Sequence, residues 1–313
     1  MSVRTLAVDS GDTTVTALRE YGENPSAFLG LGEGYEYFTV TGTRGVVPYR
    51  AVGGYLHQPG GVIAPDEDQE LLLGAFVEFA EERRRKIIAT RLRRPEAELF
   101  ARCGFTVNQS GSSYSVYLPE FRLGDPRLAE LRRAVSQARL AGLEVAEVAY
   151  EDIAAGTGEI GALNERWSAL RLFAGRIGDE VVAYIAYAPV FGTRPGLLHH
   201  LAHRTPGAPQ GALEAVNLAA VRVFAEEDRQ WLHLGFTPLA GLCAQYEVGS
   251  AHPATARALR LLAERGERLY PTAAHHAYQR IWDPHLVQPG YLACHGRASA
   301  GAIRQLLRLT RSP

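Results

Sequence analysis

The sequence predicts an α/β protein of mixed sheets in two similar halves. Three observations predict it. The 313 residues exceed what one small core usually organises. Short alternating or apolar runs of strand type are interleaved with helical segments that carry one apolar stripe. Each half also runs through strands into a helix and closes on a strand–helix–strand unit, without a close internal repeat of sequence.

In order, residues 15–28 ("VTALREYGENPSAF") read as helical, punctuated by Gly22 and Pro25. Residues 35–40 and 45–64 read as short strands broken by glycines. In residues 68–85, Leu71, Leu72, Ala75, Phe76 and Phe79 share one helical face, with Asp66 or Asp68 as the start signal. A buried-type strand "KIIATRL" follows, then a short helix ending at Gly104 and a strand over 112–121. Asp125 and Pro126 form a cap and first helical position. The helix they open carries Leu128, Leu131, Val135 and Ala138 as its stripe and stops at Gly142. Residues 123–145 therefore bridge a first unit, 1–122, and a second, 146–313. The second reads as a helix over 150–172, strands over 171–192 and 196–204, a helix over 211–227 and the strand "WLHLGF". A helix over 254–266 and a terminal strand and helix complete it.

Bulk properties exclude several classes. The net charge of −1 gives no global attraction to nucleic acid. No apolar run is long enough to span a bilayer and no basic-then-apolar leader opens the chain, so a soluble, cytoplasmic protein is expected. Cys103, Cys243 and Cys294 have no metal-ligand spacing, so no metal is expected. Lys86 is the single lysine among 33 basic residues, a bias that suits a GC-rich genome and, functionally, phosphate-binding guanidinium forks.

Chemistry concentrates in residues 196–242. The strand "GLLHHLAHR" meets a Pro/Gly loop, "TPGAPQG", and an apolar helix begins at once. A loop at a helix N-terminus usually holds an anion. Here Pro206 and Pro209 remove backbone donors, and Glu214 puts a negative charge in the first helical turn. The site is therefore expected to welcome an ammonium group; the plain alternative is that Glu214 only complements the helix dipole. Strand alternation places His199 and His203 on one side and His200 and Arg204 on the other. Histidine can accept a proton near neutral pH, and arginine can stabilise an oxyanion. Gly211, Gly235 and Gly241 allow close backbone approach and Pro238 fixes a bend, readings that fit substrate contact or a structural turn equally. Cys243 is expected to be a buried structural thiol rather than a covalent relay.

The order of the second half is similar to that of GNAT acyltransferases, but their phosphate-binding loop of pattern Arg/Gln-x-x-Gly-x-Gly/Ala is missing, so coenzyme A is not expected as a cofactor. Several stretches, in order over roughly residues 15–310, resemble the catalytic region of bacterial phosphatidylglycerol lysyltransferases: "YGENPSAF", "VVPYRAVGG", "APDEDQELLLGAFVEFA", "LGDPRLAELRRAVSQARLAGLEV", "APQGALEAV", "WLHLGFTPLAGL" and "WDPHLVQPGYLACHG". The resemblance implies a tandem GNAT fold with aminoacyl-tRNA as donor and a hydroxyl or amine as acceptor. It assigns Glu214 to the ammonium and places His200 and His203, or Arg204 one residue on, where lysyl-lipid members carry an Asp and an Arg. That departure favours a small-molecule acceptor over a lipid. The multi-helix region ahead of this domain in membrane-anchored members is not expected here, although peripheral membrane contact through Ile303, Leu306 and Leu307 is compatible with the pattern. For tRNA, Arg304, Arg308 and Arg311 share one face of the terminal helix, and Arg132 and Arg133 lie with Arg139 on the bridging helix; residues 83–86 with Arg91, Arg93 and Arg94 form a further basic cluster. The rivals are a coenzyme A-dependent acetyltransferase and a silent tandem fold that binds tRNA or a protein.

Overall fold

A computed structural model describes residues 11–150, 170–265 and 272–295. Helix α1 (Gly11–Tyr21) ends ahead of a 3₁₀ turn, Pro25–Leu31, whose start is fixed twice: Pro25 occupies the first position, and the Asn24 side chain accepts from the Ser26 amide. Strands β1 (Glu36–Phe38), β2 (Val47–Val52) and β3 (Tyr55–Pro59) lead into α2 (Asp66–Glu82), whose first turn carries Asp66, Glu67 and Asp68 in keeping with the dipole. Strand β4 (Lys86–Leu92), α3 (Arg94–Arg102) and β5 (Phe105–Tyr117) follow. Asp125 caps a short turn by accepting from the Arg127 amide, and α4 (Ala129–Leu140) runs on from it.

Strands β6 (Glu144–Val148), β7 (Arg171–Ile177), β8 (Glu180–Val190) and β9 (Gly196–Arg204) precede α5 (Ala212–Glu226). Then come β10 (Trp231–Pro238), α6 (Pro253–Arg265), α7 (Thr272–Arg280) and β11 (Leu286–His295). The helices expected at 150–172 and at the C-terminus, the latter with Arg304, Arg308 and Arg311, lie outside the described residues. No helix among the described residues is long and apolar enough to cross a membrane.

All the described strands join one mixed sheet, in the order β1-β2-β3-β4-β11-β5-β10-β9-β8-β7-β6. The fold is the expected tandem of GNAT-like units, with one departure. The last strand, expected to complete the second half, is inserted between β4 and β5 of the first, antiparallel to both. Strand β5 in turn pairs with β10 of the second half. The halves thus exchange central strands, and the sheet runs unbroken through the bridge.

Two main cores share one face. Leu72, Phe76 and Phe79 of α2 pack with Phe100, Phe105 and Val107. Val216 and Phe224 of α5 and Leu131 and Val135 of α4 pack with Val116, Ile185 and Tyr187. The bulge at Ser110 shifts the inward set of β5 from Phe105 and Val107 to Tyr114 and Val116, which keeps both cores on one side. The opposite face is covered by the turn at Pro25–Leu31, through Phe28 and Leu31, and by Leu259 of α6.

Candidate functional site

The two halves differ where a parallel strand pair meets its helix. In the first, β3 and β4 stay paired along the whole of β3, from Tyr55–Lys86 to Pro59–Thr90. In the second, β9 and β10 pair only from Gly196–Trp231 to Leu198–His233. Beyond that point β9 follows β8 and β10 follows β5, so a wedge opens between them. A bulge lies on each side of the opening. On β10 the register slips between His233 and Gly235, with Gly235 at φ +90°, a region that favours glycine. On β9 the slip falls at His200, which has no partner in the β8 ladder.

The exposed edge of β10 is satisfied by a side chain. The fully buried Gln279 of α7 donates from Nε2 to the carbonyls of Leu234 (3.1 Å) and Gly235 (3.2 Å), and its Oε1 accepts from the Thr237 hydroxyl. One amide thus replaces the missing strand partner and fixes α7 across the wedge.

The His200 bulge overturns the simple alternation. His199 pairs with Tyr187 and faces α5, as does Arg204, which pairs with Ala183. His203 pairs with Tyr184, on the other face with Leu201. His200 also turns there, its ring 5.3 Å from that of Phe28. The partners are therefore His199 with Arg204 and His200 with His203, the reverse of the sequence expectation; the extra residue of a bulge flips every side chain after it. His203 and Arg204 are both exposed, His203 stacked 5.2 Å from Tyr184.

The α5 side gathers polar atoms that have no protein partner. The Tyr187 hydroxyl donates to Asn217 Oδ1 (2.7 Å), leaving the Asn217 Nδ2 enclosed and unpaired. Both ring nitrogens of His199, the Tyr278 hydroxyl and the Trp282 Nε1 are likewise enclosed and unpaired. Their rings are neighbours: His199 to Tyr278 5.5 Å, His199 to Tyr187 5.8 Å, Tyr278 to Trp282 6.3 Å. Buried polar groups are almost always hydrogen-bonded, so this group of orphans calls for a partner from outside the protein, water or ligand. Glu214 joins it from the first turn of α5. Burial pushes its carboxyl above the usual range, opposed by its own backbone amide and by Arg204, while the exposed Glu130 pushes the same way as burial. Burial, then His275 and His200, holds the His199 imidazole down at about 3, so it is neutral at physiological pH. A carboxylate facing enclosed donors can hold an ammonium and an adjacent carbonyl together.

The opposite face carries a second polar group at the junction of the halves. Arg91 has φ +58°, a strained setting for any residue but glycine, and its carbonyl accepts from Asn24 Nδ2 (2.9 Å). Burial, then Arg91, lowers His200 to about 4. Asn24, Arg91, His233, Gly235 and Gln288 line a pocket there.

The remaining expected residues have structural settings. Gly211 caps α5 at φ +82°, and a β-carbon there would stand 2.0 Å from the Ala134 carbonyl oxygen, so it lets α5 seat on α4. Pro238 ends β10 opposite Gly111. The Gly241 carbonyl accepts from Gln109 Nε2 (2.9 Å), and its φ of +64° packs the turn on Ser112. Of these four, Gly235 alone borders the wedge: a β-carbon would meet only the His199 carbonyl oxygen, at 3.8 Å. Arg132 ties down the bridge by donating to the carbonyls of Leu123 (2.7 Å) and Asp125 (2.6 Å), whereas Arg133 is exposed. The cluster at 83–94 disperses into local contacts, such as Arg94 with Glu98 (2.6 Å) and Arg83 over Phe79 (3.6 Å). Cys243 is exposed rather than buried, because the turn after β10 carries it outward. No group of three metal-ligating side chains occurs among the described residues. Tyr187, Asn217, Tyr278, Trp282 and Gln279 went unnoticed in the sequence. The available signal was an asparagine inside the apolar run "ALEAVNLAAV", three residues after Glu214 and hence on its face.

Comparison with known proteins agrees with this architecture. The C-terminal domain of a lysylphosphatidylglycerol synthetase from Agrobacterium fabrum superposes with a TM-score of 0.72 at 18% identity, covering 96% of this chain and 97% of that one. L-PGS from Bacillus licheniformis gives 0.76 at 16% identity, covering 97% and 98%. FemX gives 0.53 at 10% identity, covering 96% and 98%. No curated protein matches the sequence. The family model described as "Phosphatidylglycerol lysyltransferase, C-terminal" matches residues 15–171 and 168–294. The chain belongs to that family, whose activity is aminoacyl transfer.

Proposed function

We propose that this protein takes an amino acid from aminoacyl-tRNA and transfers it to a hydroxyl or amine of a small-molecule acceptor. The observation that supports the reading is the enclosed polar group beside the wedge: the half-buried Glu214 carboxylate acts on Tyr278, which neighbours His199 and Trp282 and is reached by Asn217, and all four carry unpaired polar atoms. An aminoacyl ester presents an ammonium beside an electrophilic carbonyl, and this arrangement complements both. Coenzyme A has no place in the reading, because Pro206, Pro209 and Glu214 stand where a pyrophosphate would need donors. The exposed Arg133 on α4, with Arg304, Arg308 and Arg311, supplies a grip on tRNA phosphates.

The family description favours a second acceptor, phosphatidylglycerol or a similar lipid at a membrane surface. Separately charged, radiolabelled tRNAs incubated with the protein and with lipid or soluble-metabolite extracts test both. Label entering the aqueous extract supports the first acceptor, and label entering the organic extract supports the second. Charged tRNAs that stay intact while acetyl-CoA is consumed would refute both.

A further inference from the structure

We infer that Asn217, Tyr278 and Trp282 form the cradle for the carbonyl oxygen of the aminoacyl ester, and so are catalytic residues of the reaction proposed above, on which this assignment rests. Nothing in the sequence singled them out. They come from α5, from α7 and from the turn that follows it, beside the wedge.

The donor character of the three is fixed by their surroundings. Trp282 Nε1 can only donate. The Tyr187 hydroxyl holds Asn217 Oδ1 at 2.7 Å, which turns Nδ2, a donor, toward Tyr278. The Tyr278 hydroxyl stands within the electrostatic reach of Asn217 and Trp282, both of which act on its oxygen as donors, and of the Glu214 carboxylate. Asn217 Nδ2, the Tyr278 hydroxyl and Trp282 Nε1 nevertheless fall short of full hydrogen-bond geometry with one another, whereas Asn217 Oδ1 is paired with Tyr187. Asn217 and Trp282 are fully buried, where an unsatisfied polar atom costs about 1–3 kcal/mol. Three donors left open beside a carboxylate match an ester whose ammonium sits on Glu214 and whose carbonyl oxygen gains negative charge as it reacts.

The step balances without a further reactant. The acceptor oxygen or nitrogen forms a bond to the ester carbonyl carbon, and the C=O π pair moves onto oxygen, where the three donors hold it. That pair then re-forms the C=O bond as the bond to the tRNA ribose oxygen breaks. The proton lost by the acceptor ends on that ribose oxygen.

Tyr278→Phe and Trp282→Phe separate this role from a structural one. Tyr278→Phe removes only the hydroxyl, so its Tm is expected to stay level or rise, whereas Trp282→Phe also leaves a cavity at a fully buried position and is expected to lower Tm by a few degrees; in both, kcat falls about 100-fold or more and KM changes little. Asn217→Asp, which replaces the donor by an acceptor, is expected to lower kcat further. Tm is read by circular dichroism and kcat by transfer from charged tRNA; Kd for a non-hydrolysable aminoacyl-adenosine amide, a ground-state mimic, gives a readout independent of turnover and is expected to change little in the phenylalanine variants, as KM does. Parent-like kcat in both phenylalanine variants, or a loss in Tyr278→Phe matched by a fall in its Tm, would overturn the assignment. A parent that transfers from no charged tRNA would instead overturn the proposed function, and this assignment with it.

Discussion

Gly211→Ala and Gly235→Ala separate a packing glycine from one at the wedge. Both residues have positive φ, so alanine at either costs about 1–2 kcal/mol of backbone strain. Only at Gly211 does the methyl also meet backbone, 2.0 Å from the Ala134 carbonyl oxygen. Overpacking of that kind adds about 1–3 kcal/mol as α5 is pushed off α4. Gly211→Ala is therefore expected to lose about 2–5 kcal/mol, a fall in Tm of about 4–10 °C at roughly 2 °C per kcal/mol for a chain this long. At Gly235 the nearest atom is 3.8 Å away, so strain alone remains, but the methyl points into the opening beside His199. Its Tm should fall by about 2–4 °C, with the larger effect on transfer. Thermal melts and steady-state transfer on the same preparations give both numbers. A Gly211→Ala protein of parental stability but without activity would refute the packing role and restore direct substrate contact.

Further outcomes follow from the charges. Burial raises the Glu214 carboxyl, so the folded protein holds that proton more tightly than the unfolded chain, and stability falls as pH rises through the raised value. Glu214→Gln should therefore raise Tm at pH 8 and leave it unchanged below the ordinary carboxylate range, while abolishing transfer; pH-dependent melts check the first part. His57 and His233, held by burial at about 3 and about 4, lose stability in the opposite direction, as pH falls from about 6.5 toward those values. The slope approaches about 1.4 kcal/mol per pH unit for each group, and urea titrations between pH 7 and 4 measure it. Arg132→Ala should destabilise the protein by about 1–3 kcal/mol through its two lost bonds. Arg133→Glu should leave Tm alone and weaken tRNA binding, with a shallower salt dependence in filter binding.

The sequence carried the local structure well because periodicity and caps are local. Asp125 and Pro126, the acidic start of α2 and the stop at Gly142 all act within a turn of where they stand. The exchange of β5 and β11 was not legible, since each strand's partners lie far along the chain and several would satisfy its hydrophobic pattern equally. Glu214 was legible as a charge at a helix start. The facing of the strand before it was not, because one unpaired residue at His200 reverses the alternation and leaves no mark in composition. Tyr278 and Trp282 drew no reading from the sequence, because their position depends on α7 being placed across the wedge by Gln279.

The most direct measurement is transfer of radiolabel from each charged tRNA to extracted acceptor, parent against Glu214→Gln, at matched folded concentration. The parent is expected to move label from at least one charged tRNA, and the glutamine variant to leave that tRNA charged. Equal transfer by the two proteins would contradict the role given to the α5 carboxylate, and with it the reading of the polar group beside the wedge.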